Sequence, residues 1–261
     1  MNLYKLIATT ALLAVNAYAG YNPNTPELVA KTKPGVVNIV MLDKEHTPIG
    51  QATGWVAKTD AGTYQIVTNA HVVREGDYIR LTTLAGVNLW FDQAAQPTYD
   101  PDIDIATMPL KNDPILAKIA LPIATGSLAE GEHILVIGNP EGLTGTVSDG
   151  MVSANRNDAF QITAPISPGS SGSPVVNDQG EVVGMVKGFM REGQNLNLCV
   201  PLLQIRLALR TPSDHRELNA PQSTEEQRID KIATDLAFGF ANDTAHGTIN
   251  RSALQHYISL V

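Results

Sequence analysis

Pro165-Ile166-Ser167-Pro168-Gly169-Ser170-Ser171-Gly172-Ser173-Pro174-Val175-Val176 packs Gly, Ser and Pro densely and then passes into β-branched residues. That order predicts a tight turn delivered into a strand. A turn of this kind exposes a serine hydroxyl, here Ser171, and its glycines let another chain approach the backbone. The amides of Gly169 and Ser171 can then converge on one point as oxyanion donors. Read alone, the same stretch is also an ordinary Gly/Ser hairpin loop.

Outward from it, short Val-, Ile- and Thr-rich runs dominate the chain. The first group is Val36 to Met41, Thr53 to Ala57, Tyr64 to Thr68, Tyr78 to Leu84, Val87 to Phe91 and Ile103 to Met108. The second is His133 to Ile137, Val147 to Ala154, Ala159 to Thr163, Pro174 to Val176, Glu181 to Val186 and Leu196 to Val200. Gly, Pro, Asn or Asp separate them, and Asn177-Asp178-Gln179-Gly180 reads as a hairpin turn. No long helical period interrupts either group, so the prediction is antiparallel all-β, as barrels or a sandwich. The division falls at Lys111-Asn112-Asp113-Pro114. After it come a predicted helix from Leu202 to Arg210 and a polar linker over 211–222. A capping box at Ser223-Thr224-Glu225-Glu226 then opens an apolar stripe through Ile229, Ile232, Ala233, Leu236, Ala237 and Phe240. Asn250 to Leu260 reads as a second short helix.

The 261 residues are 43% hydrophobic and 17% charged, enough for a packed core. The formal net charge of −8 and the lack of Lys/Arg runs argue against nucleic acid as a partner. Cys199 is the single cysteine, so no intrachain disulfide framework exists. It lies in an apolar run and reads as a small buried hydrophobe. The first 19 residues read as a secretory signal. Lys5 is the positive region, Leu6 to Val15 the apolar region and Ala17-Tyr18-Ala19 the cleavage site before Gly20. This apolar run is too short to span a bilayer, and no membrane anchor is expected. The placement is periplasmic or secreted.

Two further segments join the Ser171 turn. Thr68-Asn69-Ala70-His71-Val72-Val73 places an imidazole at the end of an apolar strand. Asp102-Ile103-Asp104-Ile105-Ala106 carries a carboxylate into another. A hydroxyl is a weak nucleophile at neutral pH and needs a base; imidazole titrates there, and a buried carboxylate fixes its tautomer. Asp102 and Asp104 share a face if the segment is extended, so both are candidates. His133 reads as a satisfied histidine in a strand. His46, His215, His246 and His256 show no paired ligand spacing, and neither metal nor cofactor is expected.

With those residues in view, the chain resembles the trypsin-like serine proteases of the bacterial HtrA type, over about residues 28 to 205. The matching segments, in chain order, are Lys33-Pro34-Gly35-Val36-Val37-Asn38-Ile39, Thr53-Gly54-Trp55-Val56, Thr68 to Val73 and Asp104-Ile105-Ala106. Gly131 to Pro140, Gly150-Met151-Val152-Ser153-Ala154 and Ser167 to Pro174 follow. The order His, Asp, Ser is specific, because other triad folds use other orders. The resemblance implies two six-stranded antiparallel β-barrels of chymotrypsin type, about 34–112 and 118–205, within a protease domain of 20–210 and followed by a short helical tail in 211–261. It implies His71 as general base, Asp104 as its orienting carboxylate, Ser171 as nucleophile and Gly169, Ser170 and Ser171 as the oxyanion hole. It implies hydrolysis of unfolded or exported proteins; the alternative is a weak or inactive scaffold that binds peptides. The PDZ domains usual in the family are not expected here, and no oligomeric state is implied. Ser170 and Ser173 depart from the family's usual Asn and Gly, and Ser173 would strain the loop if its φ were positive. By the same resemblance Ile166, Lys187, Phe189 and Met190 line the specificity pocket. Three of them are apolar, which predicts cleavage after small or medium aliphatic residues, and Lys187 is the one cation.

Overall fold

The computed structural model describes residues 25–91, 97–126, 128–156, 158–189, 196–210 and 216–217. The proposed signal at 1–19, Met190 and the predicted tail helices lie outside them.

Chain order begins with helix α1 (Thr25–Thr32), then β1 (Val36–Leu42), β2 (Pro48–Lys58), β3 (Tyr64–Thr68) and helix α2 (Ala70–Glu75). Strands β4 (Tyr78–Thr83), β5 (Asn88–Leu89), β6 (Thr98–Asp100) and β7 (Ile105–Pro109) complete the first half. A short helix α3 (Leu116–Ile119) lies in the crossing to the second half. That half holds β8 (His133–Gly138), β9 (Thr146–Asn155), β10 (Phe160–Ile162), β11 (Pro174–Val176), β12 (Val182–Phe189) and β13 (Asn197–Pro201). Helix α4 (Leu202–Arg210) and a two-residue strand β14 (Arg216–Glu217) follow. No helix among the described residues is long and apolar enough to cross a membrane.

The all-β expectation holds. The second half closes as a six-stranded barrel in the order β10-β13-β12-β11-β8-β9. The first half is an eight-stranded sheet, β14-β6-β7-β3-β2-β1-β4-β5. A lone antiparallel bridge between Phe91 and Leu110 ties the chain beyond β5 to the end of β7, so six of its strands curl toward closure. The two extra strands were not foreseen. β6 is three residues long, and β14 falls inside the predicted linker, where Arg216 and Glu217 pair with Tyr99 and Thr98. Backbone pairing makes no demand for apolar side chains.

Period-two alternation distributes the apolar side chains over three cores. In β2 Val56 faces the first barrel's core, while Trp55 and Ala57 face a second core. In β3 Ile66 and Val67 divide the same way, as do Met108 and Ile105 in β7. That second core is the seam between the halves, since Leu135, Ile137, Val176, Met185 and Val200 enter it from the other barrel. Ile134, Val136, Val175 and Val186 fill the second barrel's own core. Each fully buried large apolar side chain contributes roughly 1.5–3 kcal/mol, so the seam is rigid and the loops at its end are held in fixed relation. Cys199 is fully buried in the second barrel, and burial pushes its thiol above the usual range, which makes it inert.

Candidate active site

His71 stands one turn past β3, at the second position of α2. Ala70, Val72 and Val73 bury against the first core and turn His71 toward the opposite side. Asn69 occupies the N-cap position without capping; its side-chain amide donates to the Asp104 carbonyl at 2.9 Å instead. The Asp104 backbone has φ of 60°, a left-handed conformation that Asp tolerates better than most residues. This sharp turn sends its carboxylate to His71. The His71 Nδ1 lies 3.0 Å from both carboxylate oxygens, and the His71 backbone N–H donates to Oδ1 at 3.1 Å. Asp102 is exposed, its N–H turned to the Asp100 carboxylate at 2.9 Å. The His71 and Asp104 side chains are 16% and 12% exposed. Burial alone would lower the imidazole pKa, but the charge and hydrogen bond of Asp104, with the charge of Glu75, outweigh it, while Lys187 opposes them. The net result is a pKa raised above the ordinary 6.5.

The serine turn is pinned peptide by peptide. The Pro168 carbonyl accepts from the Glu141 N–H at 2.7 Å, and the Gly169 carbonyl from the Thr53 hydroxyl at 2.8 Å. The Ser170 carbonyl accepts from the Ser173 N–H at 3.0 Å and the Ser171 carbonyl from the Thr53 N–H at 2.9 Å. The N–H groups of Ser170, Gly172 and Ser173 donate to Ser167, Val186 and Ser170. Among the described residues the N–H groups of Gly169 and Ser171 donate to nothing. In a trans peptide N–H and C=O point in opposite directions. Holding the Pro168 and Ser170 carbonyls therefore aims those two amides the other way. The expectation for Ser170 needs correction: its N–H is spent on Ser167 at 2.9 Å, so it is no donor to a shared point.

Of the two departures from the family pattern, Ser170 is accommodated by a hydrogen bond, whereas Ser173 escapes backbone strain but keeps a buried hydroxyl without a partner among the described residues. Ser170 is buried, and its hydroxyl accepts the Ser167 N–H at 3.3 Å, which closes the turn from inside. Ser173 is buried and its φ is not positive, so the anticipated strain is absent. Its hydroxyl occupies the space where a Cβ on Gly138 would stand.

Serine turn and histidine are joined through Thr53 and Thr68. A Cβ on Gly172 would fall 2.0 Å from the Thr53 carbonyl and 2.4 Å from the Thr68 hydroxyl, so only glycine lets the turn dock on β2 and β3. Thr68 is three residues before His71. Sequence reasoning missed Thr53, Thr68, Asn69 and Asn139 as site residues. For Thr53 and Thr68 the signal available was a polar residue in an otherwise apolar strand; Asn69 and Asn139 stand just past the ends of theirs.

Of the pocket residues, Lys187 is half-buried on a bulge of β12, between Val186 and Gly188. Val186 exchanges hydrogen bonds with Gly172 and Ser173, which sets this bulge beside the serine turn. Ile166 packs on the second barrel's core. Phe189 pairs with Asn197, and the Asn197 side chain donates to the Ala164 carbonyl at 2.6 Å, which brings residues 164–166 alongside the end of β12. His133 is satisfied as expected, by Asp178 at 2.8 Å.

The two-barrel architecture is of the chymotrypsin type. A family model of the trypsin-like peptidase domain matches residues 52–185, and the chain belongs to that family. Serine protease HTRA2, mitochondrial, from Bos taurus is 29% identical over 197 residues, which cover 69% of this chain and 41% of that protein. Serine protease HtrA-like from Staphylococcus aureus strain USA300 is 30% identical over 183 residues, 59% of this chain and 22% of the relative. The chain thus spans less than half the length of these relatives. Among solved structures, the serine endoprotease from Yersinia pestis superposes with a TM-score of 0.63 at 22% identity, covering 74% of this chain and 67% of that one. The active form of the Rv3671c protease from M. tuberculosis gives 0.60 at 23% identity, with 78% and 90% covered.

Proposed function

We propose that this chain is an extracytoplasmic serine endopeptidase acting on unfolded or exported proteins. The observation that carries the reading is the pairing of His71 with Asp104 beside a serine turn that leaves two amides, and two only among residues 169–173, without partners. In this reading Ser171 Oγ attacks a peptide carbonyl while His71 Nε2 takes the hydroxyl proton. The amides of Gly169 and Ser171 hold the oxyanion. Collapse expels the amine, which takes its proton from His71, and water attacks the remaining ester by the same route. Asp104 keeps the Nδ1 proton in place and stabilises the imidazolium. Ile166 and Phe189 give the acyl-side pocket an apolar wall in this reading, and small or medium aliphatic residues fit it. An unpaired substrate ammonium there would lose its hydration without compensation, at a cost of several kcal/mol.

A fluorophosphonate probe should label the purified protein at Ser171, and digestion of a denatured proteome should show cuts mainly after Val, Ala, Leu or Ile. No label and no hydrolysis between pH 6 and 9 would leave a peptide-binding scaffold as the better reading. Cuts mainly after Lys or Arg would refute the pocket, and cuts after Glu or Asp would assign Lys187 as its selector.

Export rests on the order of charge, apolar run and small residues before Gly20. Intact-mass analysis of protein from its native host should give Gly20 as the first residue; an active species that begins at Met1 would remove the signal and the location with it.

A further inference from the structure

Thr53 belongs to the first barrel, yet every polar group it has serves the serine turn or the strand that leads to His71. Its N–H donates to the Ser171 carbonyl at 2.9 Å, and its own carbonyl accepts from the Thr68 hydroxyl at 2.8 Å. Its hydroxyl donates to the Gly169 carbonyl at 2.8 Å and accepts from the Asn139 backbone N–H at 3.0 Å and the Asn139 side-chain amide at 3.1 Å. A hydroxyl offers one donor and two acceptor sites, and here all three are used. Thr53 and Asn139 are both fully buried. Asn139 extends the network, reaching the Val37 carbonyl at 3.3 Å and accepting the Gly145 N–H at 3.1 Å.

We propose that Thr53 is a positioning residue that sets the aim of the two unpaired amides from across the barrel seam. It acts through the peptides on either side of the one that carries the Ser171 amide. The hydroxyl fixes the carbonyl of Gly169, so the 169–170 peptide that links the two unpaired amides cannot rotate. The backbone N–H fixes the carbonyl of Ser171 and with it the 171–172 peptide that follows them. Asn139 links the same hydroxyl to the chain carrying Glu141, whose N–H holds the Pro168 carbonyl and so turns the Gly169 N–H outward. The inference rests on the endopeptidase reading only for its kinetic consequence; the geometry of the turn stands apart from it. Serine can make the same three hydrogen bonds. Valine and alanine cannot, and they would leave buried polar groups on Gly169 and Asn139 without partners.

The test compares Thr53→Val, Thr53→Ala and Thr53→Ser with wild type at a temperature where all are folded by circular dichroism; the alanine variant serves if valine does not fold. In peptide hydrolysis, kcat should fall about 10-fold to 100-fold in the valine and alanine variants with KM within twofold, since misaimed amides weaken only the transition state. Binding of a peptide aldehyde, which forms a tetrahedral adduct, should weaken in proportion, and Thr53→Ser should restore both. An unchanged kcat, a loss confined to KM, or a serine variant as poor as valine would overturn the inference. Amide NMR resonances of Gly169 and Ser171 supply a readout that needs no turnover. They should shift in Thr53→Val and Thr53→Ala but return in Thr53→Ser. If the wild type neither labels nor cuts while those shifts occur, the endopeptidase reading fails and the positioning role of Thr53 stands; without the shifts, the positioning role fails whatever the activity.

Discussion

Replacing His71 by Ala should lower kcat/KM about 10⁴-fold, the scale on which a triad loses rate when its base is removed. The alanine variant keeps the fold, because α2 is seated by Ala70, Val72 and Val73 and not by the imidazole. As the proposed general base, the same residue should set the pH profile. A general base must be neutral, and the Asp104 carboxylate holds the His71 pKa above 6.5 against the effect of burial. The acid limb of kcat/KM should therefore have its midpoint above 6.5, with activity lost as pH falls through it. Folding runs the other way. A raised folded-state pKa stabilises the folded chain fully below the unfolded value near 6.5, and that contribution is lost as pH rises through the folded value. The base thus becomes active in the window where it ceases to support the fold. Replacing Asp104 by Asn removes the main attraction and leaves burial and Lys187 opposed only by Glu75, so any residual activity should persist to lower pH. Measuring kcat/KM from pH 5 to 9 on wild type and both variants checks this. A flat wild-type profile, or a His71→Ala enzyme that keeps a tenth of its activity, would remove His71 from the chemistry.

The frame of the molecule was legible because β-branched runs and turn residues are local signals. Tyr64–Thr68 and Pro174–Val176 match their predicted bounds, and most other strands differ by a residue or two. What escaped is set by contacts distant in sequence. The hydrogen bond from Thr53 to Gly169 spans 116 positions, and no local pattern marks a threonine in an apolar strand as its donor. The choice between Asp102 and Asp104 was open for a physical reason: an extended segment puts both on one face. The chain instead turns over residues 101–104, with φ of 60° at Asp104, and the strand begins only at Ile105. The assignment of Ser170 as an oxyanion donor failed in a related way. Three consecutive amides in a turn need not point together, since one of them closes the turn.

Replacing Gly169 by Ala should cut kcat by about 10² to 10³-fold, the range found when one oxyanion donor is lost. Gly169 has φ of +94°, and a Cβ on it would lie 2.5 Å from the Asn139 carbonyl and 3.3 Å from the Glu141 N–H. Backbone groups at those distances cannot step aside as a flexible side chain would. Asn139 is moreover buried and tied to Thr53, Val37 and Gly145. The expected relief is rotation of the peptide between Pro168 and Gly169, which is held by the single bond from Glu141. That rotation breaks the bond from Glu141 and carries the Gly169 N–H away from the point it shares with the Ser171 amide. Substrate side chains still find their pocket, so KM should change little. Gly62 supplies the control: its φ is +82° and a Cβ there meets nothing within 4 Å. Gly62→Ala should cost about 1 kcal/mol of stability, from the left-handed backbone alone, and leave kcat unchanged. Steady-state kinetics and urea unfolding on the two variants separate backbone strain from the loss of a donor. If Gly169→Ala keeps kcat within tenfold of wild type, or loses activity through KM, the Gly169 amide does not hold the oxyanion.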